Sequence, residues 1–216
     1  MSSFPQHLLE GYRTFTSQRL PTEQSRYREL SEIGQAPEVM VIGCCDSRVS
    51  PEVIFDAGPG ELFVVRNIAN LVPVYQPDGG AHGVSAALEY AVSVLRVKHI
   101  VVLGHAQCGG IRAFIDKIAP LSPGDFIGRW MSMFVKPGER VEQRDHETMA
   151  AFTIRIEKAA VFRSLENLLT FPFVRAAVER GELALHGAYF GVAEGSLFVL
   201  DPAAKEFHSV REKVSK

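Results

Sequence analysis

Val39-Met40-Val41-Ile42-Gly43-Cys44-Cys45-Asp46-Ser47-Arg48-Val49 decides the fold: an apolar run breaks off at a glycine into thiols, a carboxylate and a guanidinium. An uninterrupted run of this length, rich in β-branched residues, is a strand covered on both faces, the pattern of a parallel sheet. His99-Ile100-Val101-Val102-Leu103-Gly104-His105-Ala106-Gln107-Cys108-Gly109-Gly110 has the same build. Between them, Val84, Leu88, Ala91 and Leu95 mark a helix over 83–97. Strand, crossover helix, strand is the βαβ unit of a parallel sheet. Two such strands side by side bring Cys44, His105 and Cys108 to one crevice beyond their carboxyl ends, where open parallel sheets bind ligands.

Working outward, Glu61–Asn67 is a second strand, and Pro51 opens a short helix that Gly58-Pro59-Gly60 stops. Upstream, Phe4, Leu8, Tyr12 and Phe15 have helical spacing, so residues 5–18 are an amphipathic helix ended by Pro21, with a short helix through Tyr27 and Leu30 after it. This leading arm, residues 1–34, has no seat in the βαβ core and is expected to contact a partner subunit. Downstream, Gly109-Gly110 opens a helix with Ile111, Phe114, Ile115 and Ile118 inward, broken by Pro120–Gly124. A long helix is expected over 142–169, and Pro172 starts another. Leu185–Val192 and Leu197–Leu200 form a hairpin that adds an antiparallel edge strand. The whole is an α/β fold: a mostly parallel central sheet flanked by helices, with an N-terminal helical arm and one domain spanning 1–216.

Composition fits that reading. The chain has 216 residues, 46% of them hydrophobic, enough for one sizeable core and short for two. A net charge of −2 without a basic run argues against nucleic acid or an anionic membrane as partner. No apolar run spans a bilayer, and the opening residues lack a secretory signal, so a cytoplasmic protein is expected. Three cysteines in a reducing compartment point to metal or catalysis rather than disulfides.

Two cysteines and a histidine form a ligand set for Zn²⁺, and three protein ligands leave the open position of a catalytic site. Asp46 and Arg48 lie two and four residues past Cys44, and a guanidinium holds a carboxylate by two parallel hydrogen bonds. A carboxylate so held would orient a zinc-bound hydroxide, or would rotate to become the fourth ligand. A plain loop ion pair fits the same two residues.

With Cys-x-Asp-x-Arg after the first strand and His-x-x-Cys-Gly after a later one, the chain resembles the β-class carbonic anhydrases. The resemblance implies one zinc on Cys44, His105 and Cys108 and a catalytic dyad of Asp46 and Arg48. It also implies reversible hydration of carbon dioxide to bicarbonate and a proton, in a homodimer or larger assembly. Gln35, Phe63, Ile68, Tyr90 and Gly109 correspond to substrate-binding positions. Cys45 stands where many members carry serine and is expected to point away from the site and pack. Val41 replaces the tryptophan of a second bicarbonate site found in one branch, although Arg66 is retained. Other readings of the same residues are zinc acting on carbon disulfide or carbonyl sulfide, a structural zinc closed by Asp46, and a thiol redox protein.

Overall fold

The computed structural model describes residues 4–116, 124–136 and 139–210. The chain runs through α1 (Gln6–Thr14), a π-helical turn (Phe15–Arg19), α2 (Leu20–Ile33), β1 (Val39–Cys44), α3 (Pro51–Ile54) and β2 (Leu62–Asn67). A 3-10 turn (Ile68–Asn70), α4 (Gly83–Glu89), a second π-helical turn (Tyr90–Leu95), β3 (His99–His105), α5 (Gly109–Ile115) and α6 (Phe126–Ser132) follow. α7 (Met149–Leu168), α8 (Pro172–Glu179), β4 (Ala184–Gly191), β5 (Ser196–Asp201) and β6 (Glu206–Ser209) complete it.

The described residues carry a six-stranded sheet in the order β2-β1-β3-β4-β5-β6. β2, β1, β3 and β4 are parallel, and β5 and β6 antiparallel. β1 pairs with β3 from Val39↔His99 to Gly43↔Leu103, so both strands end at one level. Since β2 lies on the other side of β1, strand order reverses between β1 and β3, which opens a crevice there. Period-2 alternation sends Met40, Ile42, Ile100 and Val102 to one face, against Leu88, Ala91, Val161, Leu168 and Phe171. Val41 and Leu103 face the other way, toward Ile54, Phe55 and Leu197.

α7 lies close on β3 and β4 because two glycines admit it. A Cβ on Gly104 would fall 2.6 Å from Val161 Cγ2, and one on Gly187 3.0 Å from Val161 Cγ1. Gly104→Ala is therefore expected to lower stability by about 1–3 kcal/mol through overpacking, read from urea unfolding midpoints. An unchanged midpoint would mean that α7 can move off the sheet at no cost.

Several elements differ from the sequence expectation. Pro21 does not end the arm: it sits in the first turn of α2, where its missing N–H is not needed, and the wide π turn before it carries the helix through. The long helix starts at Met149 rather than 142, because Thr148 Oγ1 caps Ala151 N at 3.2 Å. β4 joins β3 in parallel before turning into β5, and the edge strand is β6, whose Glu206-Phe207-His208-Ser209 is too short to announce itself. Ile118 and the break at 120–123 lie outside the described residues. Among those described, no helix is long and apolar enough to cross a membrane.

Candidate metal centre

Cys44 is the last residue of β1, His105 the last of β3, and Cys108 the residue that precedes α5. Their ligating atoms all lie within 4.8 Å of one another, and all three side chains are buried. Sγ of Cys44 and Sγ of Cys108 are 4.0 Å apart. His105 Nδ1 donates to the Ala106 carbonyl at 2.9 Å, which leaves Nε2 as the acceptor nitrogen, buried with no hydrogen-bond partner. Leaving such a group unpaired costs about 1–3 kcal/mol. Two thiols beside a bare imidazole nitrogen are the soft and borderline donors that suit Zn²⁺, so the residues fit the ion.

The two sulfurs compete for one proton. The contact with Cys108 pulls the Cys44 thiol down, against desolvation and with help from the amides of Asp46 and Ala69. The same contact and burial push Cys108 up.

Beyond β1 the chain turns, with Val49 N donating to the Asp46 carbonyl at 3.1 Å, and this sets Asp46 beside Arg48. Arg48 Nε donates to Asp46 Oδ1 at 2.9 Å and Nη2 to Oδ2 at 2.7 Å, and the Arg48 amide also reaches Oδ1 at 3.0 Å. That fork holds the Asp46 carboxyl well below the usual carboxylate range, against a smaller cost of burial. Asp46 is not a member of the Cys44–His105–Cys108 cluster. Arg48 Nη2 also donates to the Gln107 carbonyl at 3.0 Å, tying the two loops together. Arg66 donates from Nε to the Cys44 carbonyl at 2.8 Å and from Nη2 to the Asp46 carbonyl at 2.7 Å, so it braces the backbone of this segment.

A cavity of about 360 Å³ opens beside these groups, lined by Cys44, Cys45, Asp46, Ile68, Gly109 and Gly110 among others. Ile68 is fixed by the Trp130 indole, which donates to its carbonyl at 2.7 Å. Ala69 and Asn70 follow with φ of 61° and 48°, a left-handed pair that Ser164 of α7 secures by donating to the Asn70 carbonyl at 2.9 Å. Gly110 is obligatory here, since a Cβ would meet Ile68 Cγ2 at 2.6 Å.

The structure thus brings Cys44, His105, Cys108, Asp46, Arg48, Ile68 and Gly109 to one place. Gln35 is exposed after α2, and Phe63 stacks on the exposed Tyr90 with ring centroids 5.9 Å apart; none of the three lines this cavity within one chain. Cys45 is exposed rather than packed: its amide still pairs with Asn67, but the chain leaves the sheet there and its side chain lies at the cavity wall. The sequence reading missed Glu157 and Tyr189, both buried behind Cys108. Glu157 precedes Ala160 and Val161 by three and four residues, and this placement inside an apolar stripe was the available signal.

The family model described as carbonic anhydrase matches residues 39–197. A carbonic anhydrase of Pseudomonas aeruginosa is 37% identical over 205 residues, 95% of this chain and 91% of that one. Among solved structures, the β-carbonic anhydrase CcaA superposes with a TM-score of 0.85 at 26% identity, covering 96% of this chain and 92% of the other. One of two tetrameric β-carbonic anhydrases from Sordaria macrospora gives a TM-score of 0.76 at 30% identity, covering 90% and 95%.

Proposed function

Because the chain belongs to the β-class carbonic anhydrases, enzymes that hydrate carbon dioxide, we propose that it does so with one zinc on Cys44, His105 and Cys108 and with Asp46 and Arg48 as its catalytic dyad. The observation that carries this reading is the partnerless Nε2 of His105, buried among two thiols beside an intact carboxylate–guanidinium fork. Zinc bound there supplies Lewis acidity that lowers the pKa of a water from about 15.7 toward 7.

The protein's own groups do the rest. Asp46 Oδ1 is occupied by two donors from Arg48, whereas Oδ2 receives one and keeps a lone pair. Oδ2 accepts a hydrogen bond from the attacking oxygen and so turns that oxygen's free lone pair toward carbon dioxide. Arg48 keeps the carboxylate from rotating to become a fourth ligand, which favours the open site over a closed, structural one. Ile68, Gly109 and Gly110 give the substrate an apolar wall. Gln35, Phe63 and Tyr90 are assigned to the same reaction as residues that complete the pocket across a subunit interface.

Support for a homo-oligomer comes from the arm. α1, the π turn and α2 bury none of their residues in the single chain, and Leu8, Tyr12 and Ile33 are exposed along them, as is Phe4 just before α1. Helices in water take most of their stability from packing an amphipathic face, so this arm needs a surface that its own subunit does not give it. A second copy of the chain supplies one, and the tetrameric Sordaria relatives are consistent with that assembly. Three free cysteines fit the cytoplasm.

Stopped-flow hydration on metal-quantified protein, with the assembly mass from sedimentation, tests the reading. Rapid hydration at about one zinc per chain in a dimer or larger species supports it; stoichiometric zinc without hydration would overturn the catalytic assignment. A pH profile adds an independent check. Asp46 is held far below neutrality and stays an acceptor throughout, so it contributes no rise in rate on going alkaline. Two thiolates cancel the charge of Zn²⁺ and weaken its acidifying effect. Turnover is therefore expected to climb between about pH 7 and about pH 8.5, and a flat profile would contradict this charge argument.

A further inference from the structure

Glu157 and Tyr189 are the buried titratable pair that the proposed chemistry leaves unused, 2% and 4% exposed. Glu157 Oε1 accepts from the Cys108 amide at 3.0 Å, and Oε2 accepts from the Tyr189 hydroxyl at 2.6 Å. Burying a carboxylate is expensive, and a site that needed only apolar packing would not hold one.

Its location explains it. The Cys108 N–H and the Gln107 carbonyl belong to one peptide plane, and the carbonyl side takes Arg48 Nη2 at 3.0 Å. A guanidinium at the oxygen end and a carboxylate at the nitrogen end match the peptide dipole and prevent the plane from flipping. The turn needs such anchors, because Gln107 is a non-glycine residue held at φ 57°. A tilt of the plane that is not compensated at ψ of Gln107 would turn Cys108 about its N–Cα bond and move its thiol relative to Cys44. Tyr189 is itself held: Lys158 Nζ lies 5.4 Å from its ring centroid, and the Phe198 and Phe207 rings flank it.

We infer that Glu157, oriented by Tyr189, is a positioning residue that fixes the Gln107–Cys108 peptide and through it the Cys108 thiolate as a metal ligand. The inference rests on the reading of Cys108 as a zinc ligand. Zinc affinity by chelator competition, and the thiolate-to-cobalt charge-transfer and visible bands of Co(II)-substituted protein, should be measured on the wild type, E157A, E157Q and Y189F, with melting temperatures alongside. E157A should bind zinc about 10–100-fold more weakly, with altered cobalt bands, the range for an outer partner of a ligand. E157Q keeps an oxygen for the Cys108 N–H and should stay within about threefold of wild type. Y189F, which loses one hydrogen bond to the carboxylate, should lose about fivefold.

Wild-type affinity and bands in E157A would overturn the inference whatever its melting temperature, as would an E157Q as impaired as E157A. Should E157A fail to fold, Y189F decides: a fivefold loss supports positioning and no change refutes it. A wild type that shows no thiolate-to-cobalt band would instead remove the ligand assignment on which all of this stands.

Discussion

Asp46→Asn should retain about one zinc per chain and lose hydration by about 100-fold or more, within the range for removing a positioned proton acceptor. The amide keeps the shape of the carboxylate but offers only one acceptor atom. Arg48 donates to both oxygens, through Nε and the main-chain amide to Oδ1 and through Nη2 to Oδ2. In the variant one arm of that fork meets an NH₂ group, donor against donor, and the side chain must either turn or break the pair. If the amide nitrogen takes the place of Oδ2, the lone pair that orients the attacking oxygen is gone. If it takes the place of Oδ1, it faces both Nε and the main-chain amide, so the first arrangement is favoured. Zinc should be unaffected because Asp46 stands outside the cluster of ligating atoms. The measurement is stopped-flow hydration with metal content on the same sample. A variant within about threefold of wild type would show that the Asp46–Arg48 pair is a plain loop ion pair, a reading the sequence alone left open.

Much of this site was legible because parallel strands announce themselves. β1 and β3 are covered on both faces, so their sequences are unbroken apolar runs, and the polar residues at their ends stand out against them. Local spacing also gave Asp46 and Arg48, whose interaction spans two residues. What stayed hidden depends on contacts distant in sequence or on backbone geometry. Glu157 reaches the Cys108 amide from 49 residues away, and its place in an apolar helix stripe signals burial but not that partner. The left-handed Ala69 and Gln107 carry no residue type that marks them, because tertiary hydrogen bonds stabilise those turns. Phe63 and Tyr90 were assigned to the pocket, yet in one chain they stack on each other away from the cavity. Cys45 was expected to pack because strand alternation was extended one residue beyond the end of the strand.

Cys108→Ser should abolish both zinc retention and hydration, and its thermal behaviour should distinguish loss of a ligand from loss of the fold. Serine's hydroxyl is not deprotonated near neutrality and is a harder, shorter donor, leaving the ion with Cys44 and His105 alone. The loss of affinity should exceed the roughly 100-fold upper range for an outer partner of a ligand. The substitution is nearly isosteric, and the Cys108 position is held by its main-chain amide on Glu157, so the peptide should keep its place. An ion that binds only the folded state raises stability by RT ln(1 + [L]/Kd), about 4 kcal/mol when free metal is 1,000-fold above Kd. A chelator should therefore lower the melting temperature of wild type by several degrees and leave C108S unmoved, since it has little zinc to lose. Both proteins should then melt at similar temperatures. A C108S that retains stoichiometric zinc would show that the ion, if bound, uses other ligands, and would dismantle the cluster of Cys44, His105 and Cys108 as the metal centre.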